Sequence, residues 1–260
     1  MIESVIAAVR GVAAQEIMPR YLKVAQQRKA DGSLLTEADV AAQRVLARVL
    51  PAIRPATVIG EEMSQDQQLE RWLAGAEGLW CVDPVDGTSN FVNGLPYFAV
   101  SVALLLEGRP ILGVVYNPVA EELFWAERGR GAFLNGEKLP IKTRVPPLGA
   151  AMAGVDFKRL PSGLARSLAA APPYASQRNY GASTLDWCYT AAGRFDVYVH
   201  GGQKLWDYAA GALILEEAGG AVSTLEQDDF WEASIWSRSV VAAWDPGLLR
   251  DWRTWLRAHH

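Results

Sequence analysis

At 260 residues the chain is long enough for one large domain or two small ones. Half of its residues are hydrophobic and 21% are charged, the balance of a protein with a substantial core rather than a disordered or fibrous one. A net charge of -4 argues against a basic surface for nucleic acid or anionic membrane, so phosphate chemistry here would draw its positive charge from a bound cation.

In chain order, Ile2, Val5, Val9, Val12, Ile17 and Tyr21 recur at helical spacing, and a second helix is expected over Glu37 to Leu50. TVIG (57–60) and GLWCVD (78–83) read as short buried strands ending in acidic residues, the second closing at Asp83. Two longer apolar runs, FAVSVALLLEG and PILGVVYNP, predict neighbouring antiparallel strands joined by Gly108-Arg109-Pro110. Asn135-Gly136 between apolar flanks predicts a hairpin. Past Pro146 and Pro147 the pattern turns to α/β alternation. Strand AAMAGVDF, a helix over 182–192, strand RFDVYVH, helix WDYAAGALILEEAGG with Gly219 past its end, and strand SVVAAW follow in order. This order predicts layered sheets with helices between and outside them, in two lobes, 1–145 and 146–260.

Cys81 and Cys188 sit in apolar settings and read as buried thiols rather than a disulfide. His200 is the one histidine away from the His259-His260 pair, which excludes a histidine-based zinc site in the body of the protein. Glu3, Arg10 and Glu16 break the first apolar stretch, so neither an export-signal core nor a membrane span is expected, and a cytoplasmic setting is the default.

The segment DPVDGTSNF (83–91) admits two readings, a well-built turn or a metal-and-phosphate cradle. Pro84 biases Asp83 towards an extended conformation and stiffens a turn that returns Asp86 to the same side. Carboxylates held together in this way repel unless a cation lies between them, and an oxygen-rich, histidine-free set suits Mg2+ or Mn2+. Gly87-Thr88-Ser89 would then open a helix whose first N–H groups face an anion. Glu61 in GEE ends another strand, Asp207 heads an Ala-rich helix, and TEAD (36–39) fits a capping box with Thr36 as cap and Asp39 at its third position. Each has an ordinary reading as a surface carboxylate or a cap; their joint occurrence favours a site.

With these residues in view the chain resembles the inositol monophosphatase family, part of a lithium-sensitive, Mg2+-dependent group that includes fructose-1,6-bisphosphatases and bisphosphate nucleotidases. The resemblance rests on DGSLLTEAD, IGEE, DPVDGTSNF, GAFLNGEKL and WDYAAGALILEEAGG. It implies a layered α-β-α-β-α sandwich, and Glu61, Asp83, Asp86, Asp207 and the Val85 carbonyl as ligands of about two or three Mg2+ ions. It further implies that Thr88 with Asp39 activates the attacking water, Glu61 sharing in catalysis, that Gly87 and Thr88 N–H groups hold phosphate, and that the protein is a homodimer. Lys29 to Ser33 reads as an interhelical loop, which the resemblance casts as a flap over the site.

The implied substrate is a small phosphate monoester, met by Asp86, by Gly181-Ala182-Ser183 and by residue 200. There the family's glutamate is replaced by His200, which lacks a carboxylate's charge and puts myo-inositol 1-phosphate in question as the best substrate. Histidinol phosphate, whose ammonium wants a carboxylate near His200, is disfavoured because none is assigned there. Lys204 would favour a bisphosphate if it faced the site. A regulatory member of the same fold is the alternative of another class, with the ten tryptophans as a source of interface or core packing.

Overall fold

The computed structural model describes residues 1–23, 27–28 and 34–260. The segment Lys29 to Ser33, expected as an interhelical loop and flap, lies outside the described residues. Helix α1 (Ile2–Val12) widens into a π-turn and then narrows to a 3-10 turn that ends at Arg20, and the short strands β1 (Gln27–Arg28) and β2 (Leu34–Leu35) pair antiparallel. Helix α2 (Glu37–Ile53) starts at the Thr36 cap, whose hydroxyl accepts from the Ala38 N–H at 3.1 Å.

A seven-stranded sheet follows: β3 (Thr57–Gly60), β4 (Leu79–Asp86), β5 (Ala99–Leu106), β6 (Arg109–Asn117), β7 (Glu122–Glu127), β8 (Gly131–Leu134) and β9 (Glu137–Lys138), in that spatial order. Helix α3 (Gln65–Ala74) connects β3 to its parallel neighbour β4, and α4 (Thr88–Asn93) follows β4. The second sheet holds β10 (Met152–Val155), β11 (Ser176–Arg178), β12 (Val197–Gln203), β13 (Ala221–Ser223) and β14 (Arg238–Ala243), ordered β11-β10-β12-β14-β13. Helices α5 (Ser162–Ala170), α6 (Ser183–Ala191), α7 (Leu205–Glu217) and α8 (Pro246–Ala258) complete the chain.

Side-chain alternation along the strands sets the layers. On β5, Val100, Val102 and Leu104 pack with α1 and α2, while Ala99, Ala103 and Leu105 face the opposite way onto α6 and α7. On β14, Val240 and Ala242 join that same inner cluster, and Val241 and Ala243 pack outward against Leu248, Trp252 and Leu256 of α8 and Leu164 and Leu168 of α5. The result is the α-β-α-β-α sandwich expected from the sequence. Helix α7 is apolar on every side because it lies between the two sheets, as its buried run from Tyr208 to Leu215 records.

Three expectations change in detail. Strand β4 does not close at Asp83 but runs through Pro84 to Asp86, with one extra residue between the pairs Asp83–Ser101 and Asp86–Ala99. Residues three apart on a regular strand point to opposite faces; that bulge returns Asp86 to the face of Asp83. The β5–β6 turn is Glu107-Gly108, both at positive φ, and Pro110 belongs to β6 opposite Leu105. Asp156, at the end of β10, faces His200, so a carboxylate does stand where none was expected. The Asn135-Gly136 hairpin and the buried, unbridged Cys81 and Cys188 are as anticipated. Among the described residues no helix is long and apolar enough to cross a membrane.

The segment joining the sheets is anchored by Asp196, 1% exposed at the start of β12. Its carboxylate pairs with Lys142 and accepts from the Met152 N–H at 2.8 Å and the Trp244 indole N–H at 3.0 Å. Replacing Asp196 by Ala strands two buried donors and a cation, so a loss of about 2–4 kcal/mol is expected in urea unfolding. An unchanged midpoint and slope would show that this joint carries little of the stability.

Candidate active site

The inner face of β4 supplies the first two acidic groups. Leu79 and Cys81 on that face are buried among α6 and α7, so Asp83 and, by virtue of the bulge, Asp86 emerge at its upper end towards the same helices. Helix α6 is preceded by Gly181-Ala182, with Ala182 at its N-cap position, and lacks a side-chain cap of its own. Asp86 takes that role from 98 residues away: its Oδ2 accepts from the Thr184 N–H at 2.6 Å and from the Thr184 hydroxyl at 2.7 Å. Thr184 was not among the residues expected from the sequence, where it reads only as an ordinary helical position.

Asp207 stands one turn into α7, with its Oδ2 accepting from the Lys204 N–H at 2.8 Å. Glu61 follows β3, the parallel neighbour of β4, and its N–H donates to the Val82 carbonyl. These groups share a cavity of about 260 Å3, the scale of a small ligand site. Every residue expected at the site lines it except Asp39: Glu61, Asp83, Val85, Asp86, Gly87, Thr88, Gly181, Ala182, Ser183, His200 and Asp207.

Asp39 sits behind Thr88. Its Oδ2 closes the capping box of α2, accepting from the Thr36 N–H at 2.8 Å and hydroxyl at 2.5 Å, and its Oδ1 meets the Thr88 hydroxyl at 3.4 Å. Thr88 also lies 3.1 Å from the Val85 carbonyl. Asp39 thus caps α2 with one oxygen and approaches Thr88 with the other. Gly87 takes a φ of 90°, and a Cβ there would press on the Tyr97 carbonyl at 3.0 Å and on Ala182 at 3.1 Å. That contact joins the turn after β4 to the start of α6. Asn90 fastens the same junction, donating to the carbonyls of Tyr97 and Tyr180 at 2.7 and 2.6 Å.

Burial first, and then neighbouring carboxylates, push the acidic groups towards their neutral forms. Asp83 is raised well above the usual range by burial and by Glu61, Asp86 and Asp207. Burial raises Asp86 only to about 6 because the Thr184 hydrogen bonds oppose it, and burial with the Asp86 charge raises Asp207 to about 8. Among the described residues, no three His, Cys, Asp or Glu side chains close up into a ready metal cage. The donors are nonetheless all hard oxygens, four carboxylates and the Val85 carbonyl, a set that fits Mg2+ or Mn2+ and not zinc.

Sequence reasoning missed most of the far wall, where Asp156, Arg159, Asn179 and Asp186 line the cavity with Trp206. Lys204, weighed from the sequence as a residue that could face the site, does line it, with its ammonium 5.5 Å from the Trp206 ring centre. Buried Asp186 accepts from the Tyr97 hydroxyl at 2.9 Å. Strand-end position was the available signal for Asp156.

The model of the inositol monophosphatase family matches residues 1–255. An inositol-1-monophosphatase of Caulobacter vibrioides is 37% identical over 250 residues, 94% of either chain. The Nus factor SuhB of Pseudomonas aeruginosa is 41% identical over 196 residues, covering 73% of this chain and 71% of that protein. The solved IMPase of Thermotoga maritima superposes with a TM-score of 0.83 at 29% identity, covering 98% of this chain and 96% of that one.

The raised carboxyls set a pH dependence. Between the unfolded value near 3.8 and the folded values of about 6 and about 8, folded Asp86 and Asp207 hold protons that the unfolded chain releases. Stability in metal-free buffer is therefore expected to fall as pH rises through that window. Thermal melts in EDTA across the window check this; a melting temperature that climbs there would contradict the buried acidic cluster.

Proposed function

Because the chain belongs to the inositol monophosphatase family and is a phosphatase by that membership, we propose that it is a Mg2+-dependent phosphomonoesterase acting on a small polyol or sugar phosphate. The observation that carries this reading is the convergence of Glu61, Asp83, Asp86 and Asp207 on the cavity that also holds Thr88. Such a cluster binds no phosphate dianion by itself. Glu61, Asp83, Asp86, Asp207 and the Val85 carbonyl would hold about two or three Mg2+ ions, with Mn2+ as a substitute. Bound there, the cations neutralise carboxylates and phosphate and lower the pKa of water.

The chain's own groups then divide the remaining work. Thr88, whose hydroxyl lies 3.4 Å from Asp39 and 3.1 Å from the Val85 carbonyl, keeps lone pairs to accept a hydrogen bond from the attacking water, and with Asp39 it relays the proton that water loses. Glu61 shares in positioning that water. The N–H groups of Gly87 and Thr88 hold phosphate oxygens where transition-state charge spreads. Water displaces the alcohol at phosphorus directly, with no covalent phosphoenzyme. Asp86 belongs to this set while it caps α6, so the segment Gly181-Ala182-Ser183 that receives the alcohol is fixed by the same carboxylate. The two lobes, 1–145 and 146–260, form one catalytic unit in this reading, and the family's homodimer and lithium sensitivity carry over with it.

A second reading, a regulatory protein on this fold, is favoured by relatives that bear the name Nus factor SuhB. The acidic cavity supports catalysis alongside any such role, since a binding surface gains nothing from buried carboxylates that repel one another.

Asp207→Asn is nearly isosteric and removes one charge from the set. It is expected to cut turnover at saturating Mg2+ by at least about a hundredfold. Its melting temperature in EDTA should be equal to or above that of the wild type, because a repelling carboxylate is gone. Wild-type turnover in the variant would take Asp207 out of the ligand set.

A further inference from the structure

Position 200 is where the chain presents an imidazole at the edge of the cavity, and the geometry says that this imidazole is already committed. His200 is 6% exposed. Its Nδ1 accepts from the Gly202 N–H at 3.1 Å, which requires a lone pair there and puts the ring proton on Nε2. Nε2 faces Asp156 Oδ2 at 3.5 Å. With both nitrogens occupied, His200 offers little to a substrate.

Asp156 is the carboxylate on this wall that is held in its charged form while it lines the cavity. Its Oδ1 accepts from the Lys158 N–H at 3.1 Å and from the Asn179 amide at 3.4 Å, while 21% of the side chain remains accessible. Partial burial raises its carboxyl, but the hydrogen bond from His200, the Lys158 N–H and nearby Arg159 outweigh that and hold it below the usual range. The loop 156–160 is seated for this purpose. A Cβ on Gly201 would lie 1.8 Å from the Arg159 carbonyl oxygen, so only glycine lets the loop press against β12 and bring Asp156 to His200.

We infer that Asp156, positioned by His200, is the carboxylate that selects the leaving group of the substrate, and that it selects a polyol. This rests on the phosphatase reading above. The choice of polyol over amine follows from the company Asp156 keeps. Arg159 lines the same wall and would repel an ammonium. Asn179 lines the same wall and donates an amide N–H to Asp156, which steadies the carboxylate as the acceptor there. Acceptors beside a cationic donor match hydroxyls, which both give and take hydrogen bonds, whereas an ammonium only gives.

The test compares three esters in Mg2+: inositol 1-phosphate, phenyl phosphate, whose leaving group has no further hydroxyl, and phosphoethanolamine, whose leaving group carries an amine. Asp156→Asn should lower the kcat/KM ratio of inositol 1-phosphate over phenyl phosphate roughly tenfold, chiefly through KM. Asp156→Glu should restore most of it, and His200→Gln should show a smaller change of the same kind. Equal losses on the first two esters, in variants whose melting temperatures match the wild type, would reduce Asp156 to a structural role and overturn the inference. Wild-type preference for phosphoethanolamine would overturn the polyol assignment. Silence of the wild type on all three esters would instead remove the phosphatase reading on which the inference stands.

Discussion

Everything at this site depends on holding several carboxylates together in a place with little water. Like charges in a low-dielectric cavity are costly, and the raised carboxyls of Asp83, Asp86 and Asp207 express that cost. The fold meets it mainly with directed dipoles, to which the Lys204 charge adds at Asp207. The start of α6 and the Thr184 hydroxyl point at Asp86, the Lys204 N–H points at Asp207, and the Val85 N–H lies 3.2 Å from Asp83. What remains uncompensated is the room for a cation. The same constraint ties the two sheets together, because Asp86 leaves the first and caps a helix that packs on the second.

Both sheets break their register where they meet the cavity. Strand β4 gains a residue between Asp83 and Asp86, and β12 gains one between His200 and Gln203. A bulge re-aims side chains without ending a strand, which lets a rigid, fully buried sheet present consecutive polar groups to one point. The first bulge turns a carboxylate inward. The second lies next to Gly201 and Gly202, and opens the space in which the Asp156 loop sits. Rigid strands with a local irregularity hold functional groups more accurately than loops do.

Much of this was legible in the chain because the signals are local. Thr36 and Asp39 mark a capping box, Asn135-Gly136 a tight hairpin, and Gly219 a helix end. DPVDGTSNF could be read as chemistry, but its bulge could not, since the extra residue is defined only against Ser101 and Ala99 on another strand. Thr184 and Asp156 escaped for the same reason: one acts on a carboxylate 98 residues distant, the other on an imidazole brought near by sheet pairing. Helix α8 is a different case. Asp245 caps the Leu248 N–H, Pro246 starts the helix, and Leu248, Leu249, Trp252 and Leu256 recur at its spacing. Those signals were present, and reading the tryptophans as an interface or core question obscured them.

The measurement that bears most directly on the account is phosphate release by the purified protein from inositol 1-phosphate, with Mg2+ and again with excess EDTA. The account predicts turnover that requires Mg2+, vanishes in EDTA and returns when Mg2+ is restored. Turnover indifferent to EDTA, or none with Mg2+ from inositol 1-phosphate or any other small phosphate monoester, would contradict the claim that the buried carboxylates form a cation-dependent phosphatase site.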